Sequence, residues 1–164
     1  MKLVYFFPVL LLFLNCSTFS PDKTEKQVGE NIEELLAAKD TVTILKTQVS
    51  LETYLWRDFM PSSPPEGRPM RAVVTLHPVN SETIPAEVDL VKLWVISKNS
   101  VWSTSLEKVG ESDYSTPQSK IEKMASGGPK WGPGITVTVL VQIKDPNGDY
   151  RLIKAEDQLI HRTD

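Results

Sequence analysis

The stretch Ile135-Thr-Val-Thr-Val-Leu-Val-Gln-Ile-Lys144, followed by Asp145-Pro-Asn-Gly-Asp149 and by residues 150–162, decides the fold class. Ile135, Val137, Val139, Val141 and Ile143 alternate with Thr136, Thr138, Gln142 and Lys144, the two-residue period of a strand with one buried face. The Asp-Pro-Asn-Gly-Asp turn reverses the chain and is the strongest hairpin signal present. Residues 150–162 return as the last strand. Their pattern changes phase between Leu152 and Ile153, which predicts a bulge.

Working outward, residues 88–97 form a nearly continuous apolar run with Leu93 and Trp94, suited to a strand covered on both sides. Asn99 and Ser100 turn the chain, and residues 101–106 with Trp102 read as its hairpin partner. Leu45, Thr47, Val49, Leu51, Thr53 and Leu55 alternate with polar residues as a first strand, and residues 71–77 as a second. Between these two, residues 61–69 carry four prolines and cannot continue a ladder. Residues 110–128 carry weak signals, with one helical turn expected near Ile121 and Met124. Ahead of all this, residues 30–39 place Ile32, Leu35 and Leu36 at helical spacing behind Asn31. Strands joined by turns without long intervening helices argue for an all-β, antiparallel sandwich with a short N-terminal helix. Trp94 in a central strand, a hairpin after it and a late pair of long strands resemble the immunoglobulin-like sandwich, without its cysteine pair. On that architecture Leu93, Trp94, Val139 and Val141 are expected to be buried together.

The chain has 164 residues and ordinary globular composition, 40% hydrophobic and 24% charged, which points to one domain. Its N-terminus is different in kind. Met1 and Lys2 precede an apolar run over residues 3–14, and Cys16, the one cysteine of the chain, follows two positions later. Such a run is signal-peptide architecture and is shorter than the ~20 residues that a transmembrane helix needs. This resembles a bacterial lipoprotein signal, with Asn15 where Gly, Ala or Ser is usual, a relaxation familiar in spirochaete lipoproteins. The resemblance implies that Cys16 is lipidated after cleavage and that the chain is anchored to an inner or outer membrane of a bacterial cell envelope. The organisation expected is a signal peptide over residues 1–15, a lipidated tether with the short helix over 16–41, and the β-domain over 42–164. Removing residues 1–15 takes away Lys2 and no carboxylate, leaving a charge of about −4, which does not favour nucleic acid.

Signatures of common catalysis are absent from the sequence. The two histidines, His77 and His161, do not make a metal site without other ligands, and Asp145, Asn147 and Asp149 lack the distal glutamate of a calcium loop. Nothing sets the separation of Glu82, Glu87, Glu111 and Asp113, so no carboxylate pair is nominated. No cofactor or metal is expected.

Two strings are distinctive: Tyr54-Leu-Trp-Arg-Asp-Phe-Met-Pro61 and Gly127-Gly-Pro-Lys-Trp-Gly-Pro-Gly134. Tyr54, Trp56, Arg57, Lys130 and Trp131 form the candidate binding surface, because Trp and Arg supply much of the energy at binding hot spots and indole faces stack on sugars. The alternative is packing, with Trp131 plugging one end of the domain and Arg57 paired with a carboxylate. Antiparallel placement of their strands would bring Trp56 and Trp131 to one pole. The strings also resemble those of bacterial lipoproteins with no assigned activity, over about residues 45–164. The function expected is therefore a non-enzymatic interaction or adhesion module of the cell envelope, with a protein or glycan partner. The alternatives are an accessory subunit of an envelope assembly or a carboxylate-dependent hydrolase.

Overall fold

The computed structural model describes residues 31–110 and 113–164, so Cys16 with its leader and Glu111 lie outside the described part. A short helix, α1 (Ile32–Leu36), precedes β1 (Thr41–Ile44), β2 (Thr47–Asp58), β3 (Met70–Pro78), β4 (Asp89–Ser97), β5 (Ser100–Ser105), β6 (Glu107–Lys108), β7 (Ile121–Gly128), β8 (Thr136–Lys144) and β9 (Tyr150–Thr163). The strands pair in the order β5-β4-β8-β9-β2-β3-β7-β6, and β1 joins β2 beside that path.

The two ends of this path, β5 and β6, are consecutive in the chain and separated by Leu106 alone. Residues 100–105 pair with β4, whereas Glu107 and Lys108 pair with β7, so one extended run crosses from one end of the sheet to the other. Leu106 is the pivot. Its N–H donates to the Val91 carbonyl at 3.0 Å and its side chain is buried. β9 also serves two partners: it lies antiparallel to β8 along most of its length, then runs parallel to β2 over residues 160–163. The register between Val137 and Val139 shifts against β9, where Asp157 has φ 55°, and this bulge lets the strand change partner.

The result is a near-closed barrel of nine mixed strands among the described residues, and it corrects the immunoglobulin-like antiparallel β-sandwich expected from the sequence. A sandwich keeps two antiparallel sheets apart, but here β9 and the 100–108 run each belong to both sides, and the β2/β9 pairing is parallel. One continuous core fills the barrel, with Val49, Leu55, Leu76, Leu93, Val139, Val141, Ile153 and Ile160 in contact. The compact unit spans Asn31–Asp164.

Trp94 is buried, but not with Leu93 and the β8 valines. It lies on the outer face of β4, in a second cluster with Leu35, Ile96 and Leu140. The continuous apolar run does have both faces covered, and α1 supplies the outer cover. Asn31 caps this helix by accepting from the Glu33 N–H, and Lys154 donates from Nζ to the Leu36 carbonyl at 2.9 Å. The helical turn expected near Ile121 and Met124 is instead β7. Ile121, Lys123 and Ala125 alternate inward, and the buried Lys123 ammonium meets Asp89 Oδ1 of β4 at 2.6 Å. An ion pair at an inward position obscures the strand period in the sequence. The turn at residues 145–149 forms as expected, because Asp145 Oδ1 accepts from the Asn147 and Asp149 N–H groups and is thereby used within the turn.

Candidate functional site

The two aromatic strings meet at one end of the barrel, and Arg57 joins them. Leu55 and Arg57 are the inward positions of β2, so the guanidinium enters a buried space where only 4% of the residue is exposed. Its donors meet backbone carbonyls: Nε to Arg68 (3.0 Å), Nη1 to Lys130 (3.0 Å) and Trp131 (3.2 Å), and Nη2 to Glu66. Its planar fork therefore ties the proline-rich loop after β2 to the loop before β8. Phe59 stacks between Arg57 and Arg162, whose guanidinium carbons lie 4.9 and 4.0 Å from the ring centre. Gly67, at φ 75°, is the residue that permits this closeness, since a Cβ there would stand 2.7 Å from the Phe59 ring. Arg57 is thus a lock, and carbonyls take the place of the carboxylate partner considered from the sequence.

Tyr54 and Trp56 point the other way. On the outer face of β2, Tyr54 stacks on His161 at 4.8 Å and lies 5.5 Å from Trp56, all three at least partly exposed. His77, the other histidine, meets Glu52 at 2.8 Å. Lys130 projects from the far loop and pairs with Glu66 at 2.9 Å, and that hydrogen bond is the main reason the Glu66 carboxyl titrates below its ordinary range. Among the described residues no cluster of three metal-ligating side chains occurs.

Trp131 is half-buried against the core on one side. On another it lines an open groove of about 950 Å³, bounded by Ser97, Lys98, Asn99 and Ser100 of the β4–β5 turn and by Gly132, Gly134, Ile135 and Thr136. The walls are firm for local reasons. Lys98, at φ 52°, makes the tight two-residue turn between Ser97 and Ser100, which are paired in register. Gly134 donates to the Ile160 carbonyl at 2.8 Å and Ile160 donates to Ile135 at 3.0 Å, which pins the opposite wall to β9. Against the main core, Trp102 of β5 lies on Gly128 of β7, where a Cβ would stand 2.9 Å from the ring.

Of the five residues singled out in the sequence, Trp131 alone lines this groove. Lys98, Asn99, Ser100 and Ile135 are not marked as site residues by the sequence, because nothing local identifies a hairpin turn as the wall of a groove made by a distant loop. Neither a protein-family model nor a curated protein matches the chain.

Proposed function

We propose that this protein is a non-enzymatic interaction module of the bacterial cell envelope, tethered through lipid on Cys16, which holds a partner in the Trp131 groove. The observation that carries the reading is the groove itself. An indole and the Ile135 side chain offer apolar surface, and hydroxyls, an amide and backbone at residues 97–100 surround it. Such a mixture of an indole and an aliphatic side chain with convergent polar groups is what recognition sites offer. Lys98 is the one ionisable side chain in that lining, and a single one makes no acid–base pair, so the reading is binding without turnover. The leader supports the tether, because a polar stretch with Ser17, Thr18, Ser20, Asp22 and Lys23 follows Cys16 directly.

A photo-reactive amino acid placed at Asn99 tests the groove in intact cells. A discrete adduct that disappears when Trp131→Ala is introduced agrees with the proposal. Absence of an adduct, or an adduct indifferent to Trp131, contradicts it.

A further inference from the structure

We propose that the groove is one end of a longer surface that binds a neutral oligosaccharide, running from Trp131 across β8 and β9 to Tyr54 and Trp56 of β2. This rests on the groove reading above and names the chemical class of its occupant. Strand pairing makes the surface continuous. The groove wall at residues 134–136 is also a partner of β9: Gly134 donates to the Ile160 carbonyl, Ile160 donates to Ile135, and Thr136 stands opposite Leu159. One strand further on, His161 stands opposite Trp56, and its ring stacks on Tyr54 with the centres 4.8 Å apart. Ile160 and Leu55, the neighbours of these residues along their strands, point into the core, so the row lies on the outer wall of the barrel.

The row is open to solvent. Leu159 is 41% and Tyr54 46% exposed, Thr136 is exposed, and Trp56 and His161 are half-buried. From the groove wall on β8 to the aromatics on β2 is two strand spacings, about 10 Å, so a ligand that touches both ends is a chain of several rings and not a single sugar.

Side chains must do the recognising here. β8 lies between β4 and β9, β9 between β8 and β2, and β2 between β9 and β3, so the strands under this surface are paired on both sides and present no edge to an added peptide strand. What they present is ring surface from Trp131, Tyr54 and Trp56, together with the hydroxyls and amide of Ser97, Asn99, Ser100 and Thr136. A sugar has the matching halves: a face of C–H groups that lies against an aromatic ring, and a rim of hydroxyls that exchange hydrogen bonds with neutral side chains. No carboxylate belongs to this set, and its two cations, Lys98 in the groove and Arg71 opposite Trp56, stand at its two extremes. The stretch between them is uncharged at neutral pH, and the ligand assigned to it is neutral.

The probes are cellotetraose, maltotetraose and chitotetraose, their disaccharides cellobiose, maltose and chitobiose, and tetragalacturonate as the acidic counterpart, each titrated calorimetrically into the full chain in detergent. At least one neutral tetramer is expected to bind, about tenfold tighter or more than its disaccharide, because only the longer chain reaches from the groove to β2. That comparison uses the unaltered protein and does not depend on any variant folding. Trp131→Ala should abolish binding of both lengths. Tyr54→Ala, at an exposed position, should lower the tetramer to the affinity of the disaccharide, leave the disaccharide unchanged and keep the melting temperature essentially as it is. A tetramer that binds no tighter than its disaccharide, or whose affinity Tyr54→Ala does not change while Trp131→Ala removes it, overturns the long surface and leaves the groove standing. Sensitivity to Tyr54→Ala alone overturns the groove instead, and indifference to both variants overturns both. Binding of none of the neutral tetramers, or tighter binding of tetragalacturonate, overturns the assignment of a neutral sugar, and the cross-link from Asn99 then decides the groove by itself.

Discussion

Replacing Arg57 by Ala should be among the most damaging single changes in the barrel. The guanidinium is buried and donates to four carbonyls in two loops that are also joined by the exposed Lys130–Glu66 pair. A hydrogen bond from a charged donor contributes about 1.5 kcal/mol at the lower end, so four sum to about 6 kcal/mol on that lower figure. The carbonyls belong to Glu66, Arg68, Lys130 and Trp131, none of them a buried residue, and water entering the opened end recovers part of that sum. About 3 to 4 kcal/mol should remain, in the range for removing one member of a buried charged network. Urea unfolding followed by tryptophan fluorescence measures it as a lower midpoint at unchanged slope. Arg57→Lys should recover little, because a single ammonium cannot span the four acceptors. A loss below about 1 kcal/mol for Arg57→Ala, or full recovery by Lys, would refute the assignment of Arg57 as the lock.

Trp94→Ala should cost about 3 to 5 kcal/mol, and Leu35→Ala a smaller part of the same outer cluster, read as melting-temperature shifts; a Leu35 variant as stable as the parent would show that α1 does not cover Trp94. Gly67→Ala should destabilise by about 1 to 3 kcal/mol, since it combines a left-handed φ with a clash against Phe59, whereas Gly148→Ala, at φ 87° in open space, carries the backbone cost alone. Equal losses at the two sites would contradict the close packing on Phe59. The Glu66 carboxyl has a lower pKa folded than unfolded, so its contribution is complete above the unfolded value and disappears as pH falls through the folded one. Lys130→Met should move its carbon-13 titration back towards the ordinary carboxylate range and make the acid limb of stability shallower, and an unmoved titration would contradict the pairing.

The β8–β9 hairpin was legible because every signal for it is local: strict alternation, then an Asx turn that uses its own Asp145. Closure of the barrel was not, because the residues 100–106 read as the second half of a hairpin and nothing in them marks Leu106 as the point where the strand leaves β4 for β7. The β2–β9 pairing joins Leu55 to Ile160 and is parallel, which no local turn encodes. β7 was misread as a helical turn because an inward lysine at position 123 breaks the apolar alternation, and its partner Asp89 lies on another strand. For the site, the sequence marked Trp131 and Arg57 correctly as unusual but did not separate their tasks. Two residues of one string, Trp56 and Arg57, face opposite sides of a single strand, so composition alone could not assign them to one surface.

Hydroxyl-radical footprinting of intact envelopes against purified protein tests the groove as the place where a partner sits. The account predicts that Trp131 and Ile135 are oxidised several-fold more slowly in envelopes, while Tyr150, 59% exposed at the β8–β9 turn, is labelled alike in both. Equal labelling of Trp131 in both preparations, or protection confined to Tyr54 and Trp56, would contradict it.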